Sequence, residues 1–88
     1  MRERKEYIGQ WALVQWFADE MMTKLFQNRH KGDTWQRVSN KQLLNRLRQE
    51  TTELEKALTT GKGVVEECAD VANFAMFIAD NFSNEQQS

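Results

Sequence analysis

An all-α fold is what the sequence predicts, on three observations. The chain has no proline and only four glycines in 88 residues, so it carries little of the chemistry that makes turns. Apolar residues recur at steps of three and four through three long segments, which is the spacing of a helical face. No segment alternates with the period of two that marks a half-buried strand. The length fits a single domain, residues 1–88, built from three helices.

The first helix is expected over about Glu6 to Gln27. Tyr7, Trp11, Val14, Ala18, Met21, Met22 and Leu25 form its apolar stripe, while Leu13, Trp16 and Phe17 lie off it. A helix apolar on more than one side needs more than one partner. A thick core helix would satisfy that, and so would a helix packed on its own subunit and on a second copy. The short chain favours the second. Asn28 to Arg37 has no period and contains Gly32 and Asp33, so it reads as a loop.

A second helix opens at Ser39. Ser39-Asn40-Lys41-Gln42 has the form of a capping box, in which a hydroxyl and an amide side chain satisfy free backbone amides at a helix start. Leu43, Leu44, Leu47, Leu54, Ala57 and Leu58 carry it to about Thr59, where Gly61-Lys62-Gly63 breaks it. The last helix is expected from about Val64 to Phe82, with residues 83–88 a flexible polar tail.

Composition narrows the function. Lys plus Arg is 12 and Asp plus Glu is 13, a formal net charge of -1. A nucleic-acid polymer is not the expected partner, because such domains are strongly basic. No run of about 18 apolar residues could span a bilayer, and no signal-peptide pattern opens the chain. Cys68 is the only cysteine, which suits a reducing cytoplasm. Small domains bury a modest share of their surface, and no disulfide compensates here. Self-association, a homo-oligomer, is therefore the expected source of additional core.

The informative residues are acids where core residues belong. On a helical wheel Glu50 falls among Leu47, Leu54 and Ala57, and Glu53 lies at the edge of that face with Arg46 beside it. In the last helix Asp70 interrupts a nearly unbroken apolar run and shares a stripe with Glu67, Phe74 and Phe77. An isolated buried carboxylate costs several kcal/mol or takes up a proton. Four acids converging from two helices would repel one another without a cation. A hard divalent ion that prefers oxygen ligands, Mg²⁺ with Mn²⁺ as a substitute, resolves the conflict. The bland alternative is ordinary pairing: Glu53 in a solvent pair, Glu50 bridged to Arg46, Asp70 to a lysine of another segment.

At these residues the chain resembles the all-α nucleoside triphosphate pyrophosphohydrolases of the MazG type, which carry EExxE on one helix and ExxD on the next. Gln49-Glu50-Thr51-Thr52-Glu53 corresponds to the first motif and Glu67-Cys68-Ala69-Asp70 to the second. Lys31-Gly32-Asp33-Thr34-Trp35 resembles the Lys- and Trp-containing segment found upstream in small members. The match covers about Asn28 to Asp80. One position departs: Gln49 stands where the family has its first Glu, and the wheel turns position 49 away from Glu50 and Glu53.

The resemblance implies an enzyme that cleaves an NTP or dNTP between its α and β phosphates, releasing the monophosphate and pyrophosphate, for house-cleaning or control of dNTP pools. It implies Mg²⁺ held by Glu50, Glu53, Glu67 and Asp70, with Glu53 the candidate to accept the proton of the attacking water. Lys31, Arg46 and Lys62 are candidates to hold phosphate. Trp35 is a candidate to stack on the base, or else a hydrophobic plug over the bundle end. Asn73 either bonds sugar or phosphate or bonds a neighbouring helix. Family members work as dimers or tetramers, which implies a three-helix subunit completing a four-helix-bundle-type unit with a partner copy. His30 reads as a surface residue and Cys68 as packing. The competing hypothesis is a small helical protein-interaction module without catalysis, for which the acids would be dispensable.

Overall fold

The computed structural model describes residues 2–29 and 35–87, with side chains described for 9–29 and 35–85. Among these residues there are three α-helices, α1 (Arg2–Gln27), α2 (Asn40–Thr60) and α3 (Val64–Gln87), with a short 3₁₀ turn at Trp35–Arg37 and no strand. No described helix is long and apolar enough to cross a membrane.

The start of α2 follows the capping box. Ser39 Oγ accepts from the Gln42 amide at 3.1 Å, and Gln42 Oε1 accepts from the Ser39 amide at 3.2 Å. Its end is set by Gly61, whose left-handed φ of 74° lets its N–H reach Ala57 O at 2.7 Å. Glycine adopts that conformation without steric cost. The three-residue link Gly61-Lys62-Gly63 turns the chain straight back, so α2 and α3 pack as neighbours. Two acids, Glu66 and Glu67, then fall in the first turn of α3, where the helix dipole favours negative charge.

α3 is the hub, since both α1 and α2 pack on it. The buried side of α2 runs Leu43, Leu47, Glu50, Leu54, Ala57. Those steps of four and three trace one seam, as in paired helices. The C-terminal half of α1 meets α3, where Asn73 Nδ2 donates to Met21 O at 3.1 Å. Toward the N-terminus Trp11 and Val14 are exposed, and the off-stripe residues Trp16 and Phe17 are half-buried instead.

Three boundaries differ from the sequence pattern. α1 begins at Arg2 rather than Glu6, and its helical geometry is interrupted at Gly9, with φ 77° and ψ 178°, angles open in practice only to glycine. Trp35–Arg37 winds into a 3₁₀ turn within the expected loop. α3 does not stop at Phe82 but continues through the expected flexible tail to Gln87. No glycine or proline follows Gly63 to end it, and a polar sequence alone is a weak stop signal.

Candidate metal centre

Glu50 reaches the site because it occupies a place in the α2 seam that its neighbours Leu47 and Leu54 fill with hydrocarbon. Glu67 and Asp70 lie three apart on α3 and so share a face. One carboxylate oxygen from each of Glu50, Glu67 and Asp70 lies within 4.8 Å of the other two, and all three residues are half-buried. The trio thus draws one acid from the first of the two sequence motifs and both acids from the second.

The electrostatics match that crowding. The Glu50 carboxyl is raised from the ordinary 4.5, first by burial and then by the charges of Asp70, Glu67 and Glu53; Lys24 acts in the opposite direction. Lys24 itself, from α1, places Nζ 3.5 Å from Asp70 Oδ2, with side-chain exposures of 19% and 15%. The pairing of Asp70 with a lysine of another segment is therefore present, but it leaves the trio short of neutrality. Three carboxylates facing one ammonium leave the cluster with an excess of acids over bases. The donor set is entirely oxygen, as Mg²⁺ and Mn²⁺ prefer. A further oxygen lies close by in sequence: Asn73, one turn after Asp70, is 4% exposed and its Oδ1 has no partner. Buried polar atoms are rarely left so. The residues present fit a hard cation.

Glu53 stands apart from the trio. Its side chain is 52% exposed and pairs with Lys56 at 3.6 Å, an i,i+3 contact, although its charge is still felt at Glu50. Gln49 is exposed, as the wheel indicates. Arg46 is exposed and lies neither on Glu50 nor on Glu53. Its guanidinium sits over the Phe74 ring, 5.1 Å from the centroid. Arg46 precedes Glu50 by one turn and Phe74 follows Asp70 by one turn, so this cation borders the trio along both helices. Lys62 is exposed in the α2–α3 link. Lys31 and His30 lie outside the described residues.

Trp35 is held as a half-buried wedge. Its ring stacks on Phe77 at 4.6 Å and 9°, and Nε1 donates to Asp80 Oδ2 at 2.9 Å. The buried Asn81 donates from Nδ2 to Trp35 O at 2.9 Å and to Val38 O at 3.4 Å. Phe77 in turn meets Phe74 edge-on at 5.7 Å. A line of contacts therefore runs from Trp35 through Phe77 and Phe74 to Arg46, fixing the 3₁₀ turn against α3 about two to three helical turns beyond Asp70. Asn73 bonds α1 through its nitrogen, the neighbouring-helix role, and its buried oxygen has no partner.

Sequence reasoning missed Lys24 and the Asp80–Asn81 anchor. Lys24 had a signal: a lysine between Met21 and Leu25 on an apolar stripe is as misplaced as the acids are. Comparison with protein-family models, with curated proteins and with solved structures finds no match to this chain.

The raised Glu50 carboxyl fixes the sign of a pH effect. The folded chain binds more protons than the unfolded one between 4.5 and the higher folded value. Stability of the metal-free protein therefore falls as pH rises through that window. Thermal melts across that range should show this loss in the wild type and a clearly smaller one in Glu50→Gln, with the variant the more stable at pH 7.

Proposed function

We propose that this chain is a Mg²⁺-dependent nucleotide pyrophosphohydrolase of the MazG type, hydrolysing an NTP or dNTP between the α and β phosphates to give the monophosphate and pyrophosphate. The observation that carries the reading is the convergence of Glu50, Glu67 and Asp70. These are acids of the two motifs that resemble EExxE and ExxD, brought from separate helices to one half-buried point.

Glu50, Glu67 and Asp70 would hold the ion. When bound, Mg²⁺ would supply neutralisation of phosphate charge and polarisation of phosphate oxygens. The chain's own residues do the rest. Glu53, outside the trio yet close enough for its charge to bear on Glu50, is proposed to take the proton of an attacking water, exchanging its exposed contact with Lys56 for that water. Arg46, held over Phe74 beside the trio, presents donors to a phosphate oxygen, and the exposed Lys62 adds a second cation; Lys31 is proposed for the same role. Trp35, linked toward the site through Phe77 and Phe74, is proposed to offer an aromatic edge or face to the base. Asn73 is proposed for a sugar hydroxyl or phosphate, which would require its now buried Oδ1 to be uncovered when substrate enters.

The active unit in this reading is a homo-oligomer in the cytoplasm, with helices of two copies completing a four-helix-bundle-type core. The chain exposes 7126 Å², whereas a folded monomer of 10.4 kDa exposes about 5,400 Å². Leu43 is the only large side chain among the described residues that is fully buried, while Trp11 stands 76% exposed. Leu13, Val14, Trp16, Phe17, Ala18 and Met21 line an open apolar groove of about 410 Å³ on α1. The same groove is the one observation that favours the second reading, a non-catalytic module that binds a partner protein. That reading gives the acids no task.

Two measurements test the proposal. Incubated with a panel of dNTPs and NTPs, the protein should release pyrophosphate and the matching monophosphate only when Mg²⁺ or Mn²⁺ is present. Glu53→Gln should slow turnover by about 10²–10⁴-fold, and Asp70→Asn should abolish it, with helical circular dichroism unchanged. No pyrophosphate from any nucleotide, or full activity in both variants, rejects the enzyme. By light scattering, the particle mass should be at least twice the 10.4 kDa of one chain, and Val14→Glu should lower it; a wild-type monomer rejects the oligomer.

A further inference from the structure

The trio already contains a cation. Lys24 is half-buried on the packed side of α1, flanked by Met21 and Leu25, and a lysine in such a place loses much of its hydration. Its ammonium reaches Asp70 Oδ2 at 3.5 Å, an ion-pair separation longer than a good charge-assisted hydrogen bond. Among the described residues no other lysine or arginine pairs with Glu50, Glu67 or Asp70. The backbone beneath the pair is fixed, because Asn73 Nδ2 bonds Met21 O. These two residues lie one turn from Asp70 and from Lys24 respectively. The helix crossing is therefore held independently of the ion pair, and the flexible four-carbon lysine stem is the part free to change position.

We propose that Lys24 is a built-in counter-cation that competes with the divalent ion for Asp70, holding the acidic trio together when the site is empty and setting the cation concentration at which it fills. This rests on the metal-binding reading of the trio. Asp70 cannot give the same oxygen to the ammonium and to a metal, and the two positive charges repel at this spacing. Part of the metal's binding energy is therefore spent releasing Lys24. The arrangement suits a site that charges only when Mg²⁺ is abundant and gives a metal-free chain a folded, partly neutralised resting state. Lys24 acts here through Asp70 and is a positioning residue.

Calorimetric titration of Mg²⁺ into wild type, Lys24→Met and Lys24→Arg tests this without any nucleotide. Lys24→Met keeps the aliphatic stem and removes the charge. It should bind Mg²⁺ about tenfold tighter, a coupling of ordinary size, while Lys24→Arg stays near wild type. Metal-free Lys24→Met should melt below wild type, and saturating Mg²⁺ should close the gap. Wild-type protein offers a second measurement that needs no variant. Acetylation of the Lys24 amine, read by mass spectrometry against Lys62, should rise several-fold on Mg²⁺ saturation. Equal or weaker Mg²⁺ affinity in Lys24→Met, or Lys24 labelling unchanged by bound Mg²⁺, overturns the proposal while leaving the metal centre intact. No Mg²⁺ binding by wild type or by Lys24→Met overturns the metal centre as well.

Discussion

Three carboxylates share a helix seam, and the rest of the molecule accommodates that fact. Glu50, Glu67 and Asp70 bring their oxygens within 4.8 Å of one another at a place where hydrocarbon would pack without cost. Burial, and after it the charges of Asp70, Glu67 and Glu53, raise the Glu50 carboxyl. A sequence selected for stability alone would put leucine at position 50, continuing the run of Leu43, Leu47, Leu54 and Ala57. Holding an acid there is a local inconsistency, and such inconsistencies concentrate at functional sites. Lys24 relieves it in part. A divalent cation taking the place of that ammonium would relieve more of it.

The scaffold around the trio explains why it stays assembled. The Gly61 turn and the Ser39 cap fix both ends of α2, and the seam sets its register on α3. The α1 crossing is pinned by Asn73. On the other flank, Trp35 is stacked on Phe77 and anchored by Asp80 and Asn81, so the chain entering α2 is tied to the same hub. These polar anchors carry much of the specificity because the apolar core is thin. The described residues bury few large apolar side chains and leave an open apolar groove along α1.

Much of this was legible in one sequence, for identifiable reasons. The three helices follow from apolar spacing, and the Ser39–Gln42 cap and the Gly61–Gly63 break from local chemistry that tertiary packing had no cause to override. Glu50 and Asp70 were legible because each interrupts an apolar stripe. Glu53 shows where that logic thins: an edge position on the wheel does not say whether a carboxylate turns to the seam or to Lys56, and it pairs with Lys56. Lys24 depends on how α1 crosses α3, a long-range fact that periodicity does not encode. The anchoring of Trp35 likewise needs Asp80 and Asn81, more than forty residues away in sequence. The run of α3 to Gln87 is not legible from composition, because a polar stretch without a breaker neither continues nor ends a helix by itself.

If the acidic trio holds a divalent cation, the ion can be located in a crystal. Crystals grown with Mn²⁺ should give an anomalous scattering peak within coordination distance of Glu50, Glu67 and Asp70, and Lys24 Nζ should have moved off Asp70. A Mn²⁺-saturated crystal with no peak there, or with the Lys24–Asp70 pair unchanged beneath a peak bound elsewhere, would contradict the account.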